Sequence, residues 1–420
     1  MHSILSNEID DNTSWDYKGA DTKYNNHGIH EYPARMVPQI AHRLIETYGK
    51  NKKIILDPFT GSGTTLLESK LCQNFETAYG IDINPLARLI AKVKTTPIKP
   101  ELLKEEHELL ITKVQSYKNR DMEKPDFFNI DFWFKDYVII NLCKFKKAIN
   151  EIENKDIQDF FKVIFSFIIR KVSNTRNGEF KLYKMSEKSL ETFNPDVFEE
   201  FENTFNYNYN KMKEFYKTYS ECNVKILNED SRLETSIPSN VVDLIITSPP
   251  YGDSITTVAY GQFSRLSLQW LDFDRKITSS IDKNSLGGKP KGQDFTTVLK
   301  SKTLEKIDSK IRLQDEKRAN DVLAFFNDFY LCIEEFDRIV KNKGVMCFVV
   351  GNRTVKKVPI LTNEIIVELF KIKDERYKHL ETIIRNIPSK KMPKANSPSN
   401  KKGKKVTTMN HEYIVIIEKY

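Results

Sequence analysis

Seven short apolar runs punctuate the chain, each rich in β-branched residues and bounded by polar or turn residues: Ile54 to Asp57, Ala78 to Asp82, Val224 to Leu227, Val242 to Thr247, Val345 to Val350, Leu380 to Arg385 and Tyr413 to Ile417. Most are continuous instead of alternating, the pattern of parallel strands covered on both faces. Helical periodicities separate most of them. The pattern predicts an α/β fold, a doubly wound, seven-stranded and mostly parallel sheet. The last two runs are joined by a Pro/Lys/Asn/Ser stretch without helical period, so that pair should form a hairpin.

One interval breaks the alternation. About 140 residues separate the second and third runs, far more than a strand-to-helix connection needs. Val138, Leu142, Phe145 and Ile149 recur at helical spacing, as do Phe198, Phe201, Phe205 and Met212, and Ile157 to Ile169 is apolar nearly all round. These features predict a helical inserted subdomain over 101–222 whose aromatics fill a core. A second insertion follows the fourth run. Tyr260, Phe263, Leu266 and Trp270 share a helical face, and the polar stretch Leu286-Gly287-Gly288-Lys289-Pro290-Lys291-Gly292 and the charged segment to about Arg318 read as a flexible loop. The expected organisation is a first core part at 1–100, the insertion, core again at 223–271, a separate candidate recognition segment at 272–320, and the remaining core at 321–420 with a basic loop at 388–410.

Composition narrows the class. The chain has 420 residues, 39% hydrophobic and 30% charged, with a net charge of +8. No apolar run approaches the ~20 residues of a membrane span, and the first residues show no charged-then-apolar leader pattern. Five scattered cysteines argue against a disulfide framework and for a reducing, cytoplasmic setting. Lys390, Lys391, Lys394, Lys401, Lys402, Lys404 and Lys405 crowd one loop, which reads either as a solvated face or as phosphate attraction.

The first strand runs into Asp57-Pro58-Phe59-Thr60-Gly61-Ser62-Gly63-Thr64-Thr65, glycines at a strand-to-helix turn where a ligand can approach bare backbone and a helix N-terminus. A P-loop needs lysine where Thr64 stands, and the dinucleotide fingerprint needs glycine where Leu66 stands. What remains is a turn suited to a nucleoside without pyrophosphate. The second strand ends in Asp82, placed to accept ribose hydroxyls; its alternative reading is a cap for the helix that Asn84-Pro85-Leu86 opens.

The fourth strand ends in Thr247-Ser248-Pro249-Pro250-Tyr251. Prolines donate no backbone N–H, so the carbonyls of this rim are free to accept from a flat, amine-bearing ring stacked on Tyr251. That points to chemistry on the exocyclic amine of a nucleobase. A turn that merely closes a strand is the plainer reading of those residues alone.

Together, Asp57-Pro58-Phe59-x-Gly61-x-Gly63-Thr64-Thr65, Asp82 and Ser248-Pro249-Pro250-Tyr251 resemble the successive motifs of S-adenosylmethionine-dependent methyltransferases acting on base amino groups in DNA, the N4/N6 DNA methylase family. His30-Glu31-Tyr32-Pro33-Ala34-Arg35-Met36-Val37-Pro38 resembles the motif that closes over the methionine end of the cofactor, and Asn228-Glu229-Asp230-Ser231-Arg232 the acidic loop at the adenine. The resemblance covers about 25–100 and 222–420. It implies a Rossmann-like class I methyltransferase core, S-adenosyl-L-methionine as cofactor, and cofactor contacts from Tyr32, Pro33, Asp57, Phe59, Gly61, Gly63, Thr64, Asp82, Ile83 and Asp230.

The resemblance also implies roles for the rim. Family members with serine at the position of Ser248 mostly methylate N4 of cytosine, so the expected reaction is N4 methylation of cytosine in double-stranded DNA. The Pro249 carbonyl and the Ser248 hydroxyl would accept hydrogen bonds from both amine N–H groups and draw the nitrogen toward a nucleophilic geometry. Pro250 shapes the rim, and Tyr251 would stack on the flipped base. N6-adenine methylation in DNA and guanine-N2 methylation in RNA are the alternatives, and a non-catalytic nucleic-acid-binding protein is a third. Ring-carbon cytosine chemistry needs a Pro-Cys nucleophile, and no Pro-Cys occurs. No metal is expected, since His27 and His30 have no ligand partners at suitable spacing. The stretch 272–320 is the preferred target-recognition segment over the helical insertion with Arg170, Lys171, Arg176 and Lys181; Lys289, Lys291, Lys390, Lys391 and Lys394 are the expected DNA contacts. A cognate restriction endonuclease is a family-based expectation.

Overall fold

A computed structural model describes residues 14–72, 75–176, 178–253, 256–288, 299–387 and 410–420. Among these residues there are nine strands: β1 (Ile54–Asp57), β2 (Thr77–Ile81), β3 (Asn223–Leu227), β4 (Val242–Thr247), β5 (Val340–Gly351), β6 (Thr354–Val355), β7 (Val358–Pro359), β8 (Tyr377–Asn386) and β9 (His411–Lys419). Seven form one sheet in the order β3-β2-β1-β4-β5-β9-β8. The first five are mutually parallel; β9 runs antiparallel between β5 and β8. The doubly wound, mostly parallel α/β sheet is therefore as the apolar runs predict, including the antiparallel final pair.

The continuity of those runs follows from burial on both faces. In β4, Ile245 packs into a cluster with Phe325, Phe329 and Phe348, while Leu244 and Ile246 point the other way, toward Ile40, Leu44 and Leu66. Helices Pro38–Tyr48, Thr64–Leu71 and Pro85–Thr95 lie on that second side, and Glu316–Ile339 and Thr362–Lys373 cover the first. Burying one aliphatic side chain contributes about 1.5–3 kcal/mol, so either face stripped of its helices would leave a strongly apolar sheet in water.

Between β2 and β3 the chain is helical, with Pro100–Ser116, Asp136–Asn150, Lys155–Lys171 and Val197–Phe215 as its longer elements. Lys155–Lys171 is the most buried: Phe160, Phe161, Ile164, Phe165 and Ile168 are all enclosed. Its apolar cluster is not private. It is shared with Leu67, Leu86, Ile90 and Val93 of the sheet's own helices and with Phe263, Leu266 and Trp270.

Two expectations need correction. The stretch from Leu286 to Arg318 is not a single loop: it is preceded, ahead of Leu286, by the helix Arg275–Asn284, and within it Lys302–Arg312 is a helix that buries Leu304, Ile307 and Ile311 on one face. That 3-and-4 spacing was present in the sequence, masked by the high charge around it. The small hairpin of β6 and β7 was not anticipated either. Its turn holds Lys356 and Lys357 at φ 48° and 65°, a conformation that glycine or asparagine usually signals.

Candidate active site

The strand order reverses between β1 and β4, which both pair with their neighbours in parallel and end at the same edge. In open α/β sheets this is where ligands bind. A cavity that opens to solvent lies there. The structure brings Tyr32, Pro33, Asp57, Phe59, Gly61, Thr64, Asp82, Ile83, Asp230, Ser248 and Pro250 to its wall. The glycine turn and the double-proline rim, nearly two hundred residues apart in the chain, thus face one space.

The glycine turn is built by backbone demands. Gly61 has φ 50° and its N–H donates to Asp82 Oδ2 at 2.8 Å, while Asp82 Oδ1 accepts from Asn84 N at 2.7 Å. Asp82 is therefore not the helix cap. Asn84 is, with its side-chain oxygen accepting from Leu86 N. Burial pushes the Asp82 carboxyl up to about 6 despite those two N–H donors. Asp57, also buried, is likewise pushed up to about 6, opposed by Thr247 and the Phe59 N–H.

Three predicted residues lie off the wall. Gly63 has φ 82° and starts the helix Thr64–Leu71, but a Cβ there would sit 2.8 Å from Ala91 Cβ. It permits close packing against the helix Pro85–Thr95. Pro249 is buried beneath the rim. Tyr251 is held from behind: its hydroxyl donates to Glu412 Oε1 at 2.9 Å on β9. Lys289, Lys291, Lys390, Lys391 and Lys394 fall outside the described residues.

The upstream segment closes one side. Tyr32 stacks on Tyr260 with centroids 5.8 Å apart, and Asn84 Nδ2 donates to Tyr32 Oη at 3.0 Å and to Ser264 Oγ at 2.8 Å. Burial and the Asp82 charge keep both Tyr32 and Tyr260 as neutral phenols. The segment is anchored through Glu68, wholly buried, which accepts from the Tyr24 hydroxyl, meets His27 Nε2 at 2.6 Å, and meets His42 Nδ1 at 2.9 Å. The His27–Glu68 pair, 41 residues apart, has no spacing signature in the sequence. His42, Glu68 and Cys72 place their ligand atoms within 4.8 Å of one another, the one such set of metal-competent groups among the described residues. The carboxylate in that set is already met by protein donors.

Sequence reasoning missed several wall residues. Ile281, Asn284, Ser285 and Leu286, from the stretch expected to read DNA, line the cavity. Arg232 pins them there: it pairs with Asp230 at 2.6 Å and Asp328 at 2.9 Å, and donates to Asn284 O at 2.6 Å. Asp230 thus reaches the wall already ion-paired. Behind the rim, Gly252 leaves room for the Arg353 guanidinium, which pairs with buried Asp253 at 3.1 Å; a Cβ at 252 would overlap it. Lys94 is fully buried behind the glycine turn, its Nζ 3.3 Å from Ser62 Oγ. Burial and nearby Arg35 push its ammonium well below the usual lysine range.

A sheet of this order, with a glycine turn, an acid after the second strand and an aromatic-walled cavity at the switch point, defines a methyltransferase of the Rossmann-like class. The chain belongs to the DNA methylase family of N6 and N4 amino-methyltransferases, whose model matches residues 5–93 and 242–420. It is 41% identical to the type II methyltransferase M.MvaI of Kocuria varians, over 99% of this chain and 96% of that protein. A shorter match, 42% identical over 16% of this chain and 12% of the other, is to the type II methyltransferase M.MjaII of Methanocaldococcus jannaschii. Among solved structures, the rRNA methyltransferase aviRa of Streptomyces viridochromogenes aligns over 93% of this chain and 88% of its own, at 10% identity and a TM-score of 0.30. Among the described residues, no helix is long and apolar enough to cross a membrane.

Proposed function

We propose that this protein uses S-adenosyl-L-methionine to methylate the N4 amine of cytosine within a specific sequence of double-stranded DNA, as the modification half of a restriction–modification system. The observation that carries the reading is that Ser248 and Pro250 share a cavity wall with Asp82 and the Gly61 turn. The type II designation of the relatives supports the site-specific setting.

The cavity suits an adenosine-bearing ligand. Phe59, Ile83 and Pro250 offer flat apolar faces, Asp82 offers a carboxylate for a diol, and Tyr32 with Arg35 and Met36 would close over the amino-acid end. Bound there, the cofactor supplies an electrophilic methyl on sulfur. The chain's own residues do the rest by position. Ser248 Oγ and the Pro249 carbonyl would accept hydrogen bonds from the two amine N–H groups of the extruded base, one proton would pass to solvent as the N–CH3 bond replaces the S–CH3 bond, and the ring of Tyr251 would support the base's face. The hydroxyl of Tyr251, tied to Glu412, fixes the angle of that ring.

The deciding experiment incubates purified protein with methyl-labelled cofactor and duplex DNA, followed by nucleoside digestion. Label in N4-methylcytosine supports the proposal. Recovery of N6-methyladenine alone would overturn the choice of base, and absence of label in duplex DNA would overturn the substrate.

A further inference from the structure

Between the helices Lys155–Lys171 and Val197–Phe215 the chain folds into a short two-stranded arm. An antiparallel bridge joins Thr175 and Lys184, Arg176 N donates to Tyr183 O at 2.8 Å, and Met185 N donates to Asn174 O at 2.9 Å. The arm rests on the helix that follows the Ser248 rim, Tyr260–Trp270. Phe180 packs on Phe263 with centroids 6.0 Å apart, Leu182 N donates to Gln262 Oε1 at 3.3 Å, and Arg170 reaches from Phe263 O at 3.4 Å to Glu179 O at 2.7 Å. Phe263 in turn meets Tyr32, a wall residue of the cavity, at 5.7 Å. The arm therefore stands two ring contacts from the active site.

Its outer surface is unusual in composition. Phe180, Tyr183 and neighbouring Phe132 are 46%, 47% and 44% exposed, and cations lie among them: Lys184 Nζ is 4.2 Å from the Phe132 ring and the Arg176 guanidinium 5.9 Å from that of Tyr183. Residues 170–188 hold six basic side chains against two acidic ones. Lys181 and Lys184 have no carboxylate within 4 Å among the described residues, and the Arg176–Glu179 pair is long, at 3.7 Å, and exposed. A merely solvated charged face would account for the lysines but not for three rings nearly half in water. A protein-docking patch would account for the rings but not for unpaired cations. Nucleic acid takes both, phosphates on the cations and base or sugar faces on the rings.

We infer that the Thr175–Lys184 arm is a duplex-contacting element, with Arg176, Lys181 and Lys184 on phosphates and Phe180 and Tyr183 against bases or sugars. A two-stranded ribbon is one of the shapes the major groove admits. The inference rests on the proposed DNA substrate, and it moves the DNA contact away from the 272–320 stretch, whose residues 281, 284, 285 and 286 instead wall the cavity.

The test measures binding of a labelled duplex, one that the wild-type protein methylates, across a salt series, with binding of S-adenosylhomocysteine measured beside it. The double variant Lys181→Ala/Lys184→Ala should lose about tenfold in duplex affinity and roughly 1–2 in the slope of log affinity against log salt, with S-adenosylhomocysteine affinity unchanged. Tyr183→Ala should lose severalfold or more in duplex affinity at an unchanged slope. Lys181→Arg/Lys184→Arg should bind as wild type. Wild-type duplex affinity and slope in the alanine variants would overturn the inference alone, as would equal loss of both ligands. A wild-type protein that labels no duplex DNA would overturn the proposed function and this inference with it.

Discussion

Thr247 Oγ1 donates to Asp57 Oδ1 at 2.6 Å, and this bond links the ends of β1 and β4, the two strands whose loops carry the glycine turn and the double-proline rim. Both residues are buried. The bond thus sets the spacing between the two halves of the cavity. Thr247→Val keeps the volume and removes the donor. The Asp57 carboxyl should then move further above 6, and stability at pH 8 should fall by about 1–3 kcal/mol, the cost of a buried acceptor without its partner. At pH 5, where Asp57 is mostly protonated, the loss should be smaller. Urea denaturation at the two pH values measures both.

Asp82 and Asp57 are both pushed up to about 6 by burial, from an ordinary value of 3.8. Their protonated forms are favoured by folding, so their contribution to stability is full below pH 3.8 and is lost as pH rises through about 6. Ligand binding has the opposite sign, since a diol donates to the carboxylate. Affinity for S-adenosylhomocysteine should therefore fall roughly fivefold to tenfold between pH 6.5 and pH 5. Asp82→Asn should bind more weakly and lose most of that pH dependence. Calorimetry across the range distinguishes this from acid unfolding, which near-ultraviolet circular dichroism would reveal.

Gly63 combines φ 82° with a Cβ position 2.8 Å from Ala91 Cβ and 3.0 Å from Ala91 Cα. Gly63→Ala should cost about 1–2 kcal/mol in backbone conformation and a further 1–3 in overpacking. The thermal midpoint should drop, and cofactor affinity should fall only through displacement of the helix Pro85–Thr95. Gly63→Ala combined with Ala91→Gly should regain much of the midpoint; failure to regain any would show that the steric account is wrong.

Tyr251 is fixed through its hydroxyl to Glu412, whose other oxygen pairs with Arg385. Tyr251→Phe keeps the ring and removes the tether, so methyl transfer should slow only severalfold. Tyr251→Ala removes the ring and should slow transfer by tenfold or more, with S-adenosylhomocysteine affinity within about twofold of wild type. Single-turnover rates read the effect. Normal transfer in the alanine variant would remove the ring from the mechanism.

The sheet was legible because its strands are buried on both faces, which leaves unbroken apolar runs such as Val345 to Val350. The residues on the cavity wall were legible where backbone geometry restricts the residue type, as at Gly61 and Pro250. Side-chain partnerships were not. Arg232 with Asp328, Arg353 with Asp253, and His27 with Glu68 join residues 96, 100 and 41 positions apart, and ion pairs leave no periodicity behind. Gly63 has the motif spacing, and its approach to Ala91 was not legible, since a glycine that admits a helix reads the same as one that admits a ligand. The helix Lys302–Arg312 hid its three buried aliphatics among charges.

The apolar cluster that runs unbroken from Leu67, Leu86 and Ile90 through Phe161, Phe165 and Phe201 to Trp270 has a consequence for engineering. Excising the residues between β2 and β3 would leave the cofactor-side helices with a naked greasy flank, so the truncated protein should aggregate instead of surviving as a minimal enzyme. Chimeras between relatives are better spliced at the base of the Thr175–Lys184 ribbon, where two backbone crossings suffice and the shared interior stays intact.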